Sequence, residues 1–173
     1  MPQHGNPQRN RPGPGAGGRG AGGGHGGGDR HAFERIDTSR IQLKAGNGDH
    51  LPADLFDEVA RRAARQVSGD DRNQKNKPSQ LRQFYDELVM WEEKVQRDES
   101  RFREYLPFIR MLNAKAAYAE GRKHIDQNFV DLMHHCLGQV DDAQALRHFK
   151  LFFEAFMGFY KVERPSDSRG RES

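Results

Sequence analysis

The sequence predicts an all-α protein, a compact bundle of about five helices, and three observations support this. From about residue 52 onward, apolar residues recur with the 3.6-residue period that places them on one face of a helix. The same region lacks the alternating Val, Ile and Thr runs and the hairpin turns that mark β-strands. Proline, serine and aspartate precede the apolar stretches, where they favour helix starts. No sheet is therefore expected.

The first predicted helix runs from Pro52 to about Val67. Its apolar side consists of Leu55, Phe56, Val59, Ala60, Ala63 and Val67. Arginines at positions 61, 62 and 65 fall on the opposite side. They form either a weak candidate for anion binding or an ordinary solvated face.

Local signals set the other helix boundaries. Ser79 is expected to be the N-cap of the second helix. Pro107 either kinks the chain or opens the third helix, which ends at Gly121 because glycine accepts the left-handed conformation after a helix. The fourth helix covers about residues 123–139. Asp141 is expected to cap the fifth, with Gln144 three residues later completing a capping-box-like pair.

The fifth helix carries two apolar stripes. One consists of Leu146, Phe149, Phe153, Phe156, Met157 and Tyr160, and the second of Leu151, Phe152, Ala155 and Phe159. A helix that is apolar on two faces is either fully buried or uses one face against another chain. We expect Leu151, Phe152 and Phe159 to contact a neighbouring subunit.

Composition divides the 173 residues into three parts. Residues 1–30 are rich in glycine and arginine and have almost nothing to bury, which predicts a disordered tail, either a plain flexible segment or an arm that touches nucleic acid. Residues 31–165 form the helical domain, beginning with an extended lead-in over 31–50 on the domain surface. Residues 166–173 are expected to be a disordered C-terminal tail.

Several function classes find no support in the sequence. The glycines of the tail lack the Gly-Lys-Ser/Thr ending of a phosphate loop, and no catalytic constellation is present, so we expect neither an enzyme nor a cofactor. His134, His135, Cys136 and His148 match no familiar zinc spacing, and we interpret them as a core cysteine and surface histidines. A single cysteine suits a reducing compartment such as the cytoplasm, and no apolar run is long enough to span a membrane.

Positive charge is local rather than global. Residues 1–30 hold four arginines against one aspartate, whereas the other 143 residues hold 24 basic and 24 acidic groups. Two clusters nevertheless lie at predicted helix boundaries: Arg72, Lys75, Lys77 and Arg82, and Arg110, Lys115, Arg122 and Lys123. Such clusters beside helix ends favour either phosphate binding or simple solvation.

Three segments in order resemble the small-subunit family of type III-A CRISPR–Cas (Csm) effector complexes. They are "PSQLRQFYDEL" (78–88), "FIRMLNAKAAYAEGR" (108–122) and "FEAFMGFYK" (153–161), within a resemblance that covers about residues 36–162. The family pattern has a Ser-Gln-Ile/Leu-Arg helix start, a Lys-x-x-Tyr-x-x-x-Arg centre and an aromatic C-terminal helix. The Gly-rich tail departs from that pattern.

The resemblance implies a helical, non-catalytic subunit that stacks in several copies and lines the groove holding CRISPR RNA paired with target RNA. Its partners would be the two RNAs, further copies of itself, the repeated backbone subunit and the large subunit of an antiviral defence complex. The motif match makes Arg82, Lys115 and Arg122 candidates for RNA contact, and charge clustering adds Lys77 and Lys123. Tyr118 is expected to pack in the core. The alternative is a helical protein–protein adaptor without a role in nucleic-acid binding.

Overall fold

A computed structural model describes residues 34–46, 50–69 and 74–164, and within these residues the chain is helical with no strand. The all-α prediction is therefore confirmed. The α-helices are α1 (Ala60–Ser68), α2 (Pro78–Arg97), α3 (Phe102–Arg110), α4 (Leu112–Gly121), α5 (Gln127–Gly138) and α6 (Ala143–Glu163). The predicted tails, 1–30 and 166–173, lie outside the described residues.

The first helix begins later than predicted. A π turn over Leu55–Val59 precedes α1, and its Val59 amide donates to the carbonyl of Asp54 at 3.1 Å. Because a π turn closes five residues apart, a wheel drawn for an α-helix misplaces side chains within it. Phe56, predicted on the buried side, is 37% exposed.

The start of α2 also differs from the prediction. Lys77, and not Ser79, is the N-cap, and Pro78 is the first helical residue. Proline suits that position because its fixed φ is helical and its missing amide hydrogen has no helical partner there. Within α2 no side chain caps the first turn, and that turn contains no acidic residue.

The third predicted helix is two helices. Pro107 lies inside α3, so the alternative in which it opens a helix is wrong. The chain instead breaks at Met111, whose amide is shared between the carbonyls of Pro107 and Phe108 at 3.1 and 3.2 Å. The helical period of the side chains continues across this break, which is why the sequence did not reveal it.

The end of α4 forms a Schellman motif in which Lys123 is left-handed, with φ 61°. The amide of Lys123 donates to Glu120 O at 2.8 Å, and that of His124 donates to Ala119 O at 2.9 Å. Gly121 is the last helical residue, so the predicted left-handed glycine is wrong by two positions. A lysine there carries backbone strain that glycine would not.

Aspartates cap the last two helices. Asp126 accepts from the amide of Phe129 at 3.0 Å, and Asp142 accepts from that of Ala145 at 2.7 Å. The predicted start of α5 at 123 is too early, because the turn after α4 occupies residues 122–126. The predicted cap of α6 is wrong by one residue, since Asp142 and not Asp141 provides it.

Aromatic side chains of α6 form the centre of the core. Phe153 packs on Phe149, Phe156 and Phe129, with ring centroids 5.4 to 6.0 Å apart. All four side chains are fully buried. Burial of this much aromatic surface is the main favourable term that holds α6 against α2 and α5.

A buried asparagine joins the ends of several helices. Asn76 is 1% exposed, has φ 55°, and donates from its backbone amide to His124 O at 2.8 Å. Its side chain donates to Val67 O and accepts from the amide of Asp126, both at 2.9 Å. Its carbonyl accepts from the Tyr160 hydroxyl at 2.5 Å. One residue therefore connects the end of α1, the turn before α5 and the end of α6.

The lead-in segment, residues 34–46, crosses the bundle as an irregular strap that is partly buried, and it does not simply lie on the surface. Residues 34–46 have no helix, yet Ile36, Ile41 and Leu43 are buried in the core. Side-chain amides replace the missing backbone partners: Asn128 Oδ1 accepts from the amide of Ile36 at 3.0 Å, and Gln139 Oε1 accepts from that of Leu43 at 2.8 Å. The prediction of a segment lying on the domain surface is thus wrong for its apolar residues.

Two histidines of α5 and α6 contact the backbone carbonyls of the strap. His135 Nε2 lies 2.8 Å from Ile41 O, and His148 Nδ1 lies 2.8 Å from Leu43 O. The interpretation of both as surface histidines is wrong, since each is partly buried by these contacts. His134 is exposed, as expected.

Replacing Asn76 by alanine should lower the free energy of unfolding by about 3 kcal/mol, because two buried backbone groups lose partners and alanine is strained at a positive φ. Asn76→Gly removes the same side-chain bonds without the strain and should cost about 1 kcal/mol less. Urea unfolding of both variants checks this. Equal losses would show that the left-handed conformation carries no strain.

Gln139→Ala should speed hydrogen exchange of the Leu43 amide about tenfold, because it removes the acceptor of that amide. The Ile36 amide is the internal control, since its acceptor is Asn128. Amide exchange measured by NMR under native conditions tests the strap. Unchanged protection at Leu43 would contradict the assigned contact.

Candidate nucleic-acid interface

A groove of about 610 Å³ lies between the first half of α2 and one side of α4, and it extends to the turn that follows α4. Its apolar part is formed by Phe84, Ala114 and Ala119. Its polar part consists of Gln80, Gln83, Glu87, Lys115, Tyr118 and His124. The alanines of α4 leave this space open, because they bring no bulk where two helices face each other.

Lys115, predicted to face RNA, lines the groove and is paired. Its Nζ lies 2.6 and 2.7 Å from the two carboxylate oxygens of Glu87, which belongs to α2. The side chain of Lys115 is 48% exposed and that of Glu87 is 23% exposed. An ion pair this accessible adds little to stability, so Lys115 can exchange Glu87 for another anion at small cost.

Tyr118 is on the surface and not in the core, contrary to the prediction. Its side chain is 68% exposed beside the groove. Arg122 lies one turn further along, with Nη1 3.3 Å from the Tyr118 hydroxyl and its guanidinium carbon 5.9 Å from the ring centroid. The helical spacing that suggested a core position places this tyrosine instead at the open edge of the groove, on a face of α4 that none of the described helices buries.

Lys77 and Lys123 come to the same end of the bundle. They flank the backbone hydrogen bond between Asn76 and His124, which joins the start of α2 to the turn after α4. Both side chains are exposed. Lys77 and Lys123 belong to different basic clusters of the sequence, and the fold brings these two lysines to the same end of the bundle.

Arg82 is not part of this groove. The groove uses positions 80, 83, 84 and 87 of α2, and position 82 is about 100° or more from each around the helix. Its Nε lies 3.6 Å from Asp86 Oδ1, and both side chains are exposed. The sequence grouped Arg82 with Lys77, but the helix turns them to different sides.

Gln80, Gln83 and His124 are site residues that the sequence analysis missed. The two glutamines fall three residues apart, with Glu87 four further on, which places all three on one face of α2. The sequence shows this spacing, but it does not show that α4 leaves a groove in front of this face of α2.

The predicted subunit interface on α6 needs one correction. Phe152 is fully buried, so it packs in the core of its own chain and offers no surface. Leu151 and Phe159 are half-buried, and the Arg61 guanidinium lies 4.6 Å from the Phe159 ring centroid. All three arginines of the predicted α1 face pair with acids: Arg61 with Asp57 at 3.2 Å, Arg62 with Asp37 at 3.1 Å and Arg65 with Glu163 at 3.0 Å.

The described residues contain no group of three or more His, Cys, Asp or Glu side chains placed to hold a metal ion. Cys136 is fully buried, and desolvation raises the pKa of its thiol far above the ordinary value. Among the described helices none is long and apolar enough to cross a membrane.

Comparison with known proteins identifies the family. A family model described as Csm2 Type III-A matches residues 52–166. The chain belongs to this family. The resemblance to the small subunits of type III-A Csm effector complexes is thereby confirmed, and membership makes the chain part of such a complex. Neither the curated proteins nor the solved structures include a match to it.

The match begins after the strap. Residues 34–46 precede the matched range, whereas α1 to α6 and the groove lie within it. The candidate interface therefore belongs to the region that defines the family.

Proposed function

We propose that this Csm2-family chain is a non-catalytic structural subunit that lines the groove holding CRISPR RNA and target RNA in a cytoplasmic antiviral effector complex. Family membership is the observation that carries the proposal. The contacts are to the RNA backbone, because phosphate contacts fix the position of a strand without reading its sequence.

The distribution of charge supports this role. Lys77, Lys115, Arg122 and Lys123 gather around the α2–α4 groove, and Arg82 adds a basic group on the other flank of α2. The acids near them are Asp86, which is exposed, and Glu87, which is partly exposed, and an RNA phosphate can displace either from its pair. Local clusters in a domain of balanced charge favour directed contact over general adhesion.

The neighbours in the complex are further copies of the chain, the repeated backbone subunit and the large subunit. Leu151 and Phe159 remain our candidates for one of these contacts. Both are partly exposed on α6, and Phe159 also packs against the core. The adaptor alternative uses the same surface but requires no RNA.

Arg82→Ala should weaken binding to RNA and reduce the slope of log K against log salt by about one, because one phosphate contact is lost. Arg97→Ala is the matched control: it is also exposed, it also has an acid one turn away on α2 (Glu93, 3.9 Å), and it lies about 22 Å further along the helix. Fluorescence anisotropy with labelled RNA between 25 and 200 mM salt, as rough limits, provides the measurement.

Equal effects of the two arginine variants would exclude Arg82 as a specific contact. Undetectable RNA binding by the wild-type chain at low salt, together with co-purification of a protein partner, would favour the adaptor.

Lys123→Gly should weaken RNA binding while stabilising the fold by up to about 1 kcal/mol, because glycine relieves the left-handed backbone. Because binding weakens while stability rises, the result separates loss of a contact from loss of folding.

Glu87→Gln should strengthen binding, since it frees Lys115 and removes a negative charge from the groove. Lys115→Ala is the counterpart that should weaken binding. Thermal unfolding and anisotropy on the same samples test all three.

A further inference from the structure

The α2–α4 groove has the chemistry of a site for a flat ligand with a polar edge. Its apolar part, Phe84, Ala114 and Ala119, lies beside an aromatic ring, Tyr118, that is 68% exposed. Arg122 lies over this ring at 5.9 Å from its centroid, and the large exposed remainder of the tyrosine offers aromatic surface on which another ring can stack.

The polar part of the groove offers both donors and acceptors. Gln80 and Gln83 each carry an amide with two N–H donors and one carbonyl acceptor, and His124 adds a ring nitrogen of either kind. A nucleobase presents this mixture along its edge and an apolar face above it. An apolar peptide helix would instead need a row of hydrophobic pockets, which the lining residues do not form.

Two cationic side chains that can bind a phosphate lie at or beside the groove. Arg122 contacts the Tyr118 hydroxyl at 3.3 Å, and Lys115 lines the groove itself. A guanidinium beside an aromatic ring can bind a phosphate and also stack on a base.

We propose that the groove binds one unpaired base of an RNA strand, which stacks on Tyr118 with its edge against Gln80 and Gln83. This rests on the proposed function and adds to it a contact to a base rather than to the backbone. Stacking of this kind tolerates any sequence, because every base has an aromatic face. The contact is therefore compatible with sequence-independent binding.

The test compares two oligonucleotides of equal length and charge, a single-stranded uridine decamer and the same ribose-phosphate backbone without bases. Tyr118→Ala in the full chain should lower affinity for the uridine decamer about tenfold or more. It should leave affinity for the abasic strand unchanged. Tyr118→Phe keeps the ring and should bind as the wild type does. Phe108→Ala is the control, because Phe108 is a 51% exposed aromatic residue that does not line the groove.

The outcomes separate this proposal from the proposed function. Selective loss for the base-bearing strand, rescued by phenylalanine, supports it. Equal affinity of the wild type for both strands, or an equal loss for both in Tyr118→Ala, overturns it and leaves backbone binding intact. An equal loss in Phe108→Ala overturns it as well. No binding to either strand at low salt overturns both proposals.

Discussion

The arrangement of the helices depends on one buried, left-handed asparagine. Asn76 satisfies its backbone and side-chain groups with the ends of α1 and α6 and with the turn before α5. Water cannot substitute for these partners inside the protein, so each bond lost leaves a buried group unpaired. Backbone groups at helix ends lack partners within their own helix. A single side-chain amide that bonds to several such ends therefore fixes the positions of these ends relative to one another. Burial of the core aromatic side chains stabilises the fold, and the hydrogen bonds of Asn76 determine how the helix ends are placed relative to one another.

Buried side-chain amides also hold the strap, residues 34–46, against the bundle. Asn128 and Gln139 use their amides on a segment that has no regular structure of its own. Side-chain amides suit this task since they donate and accept at once. The strap precedes the range matched by the family model, whereas Asn128 and Gln139 lie inside it. An irregular segment can therefore contribute Ile36, Ile41 and Leu43 to the core of a helical bundle without adding a helix.

A backbone hydrogen bond of Asn76 also positions the two sides of the candidate interface. The bond to His124 holds the start of α2 against the end of α4, which places the groove and the exposed lysines side by side. Lys115, the lysine that lines the groove, is held by the partly exposed Glu87. Such pairs are weak in water and can be exchanged, so the surface is stable when empty yet open to a phosphate. In our proposal RNA phosphates take the place of Glu87, and a base stacks on the exposed ring of Tyr118.

The sequence by itself determined the helical class, the family and which residues carry charge or apolar surface, because hydrophobic period and local motifs are properties of neighbouring residues. It also placed most helices within a few residues. It did not determine which of two adjacent residues caps a helix, as at Asp142, or that Lys123 rather than Gly121 turns left-handed. Only the tertiary structure decided that Phe152 is buried, that Tyr118 is exposed and that Arg82 faces away from Lys115. The reason is physical: periodicity says that a face is apolar or basic, but whether another helix covers that face depends on contacts between residues distant in the chain.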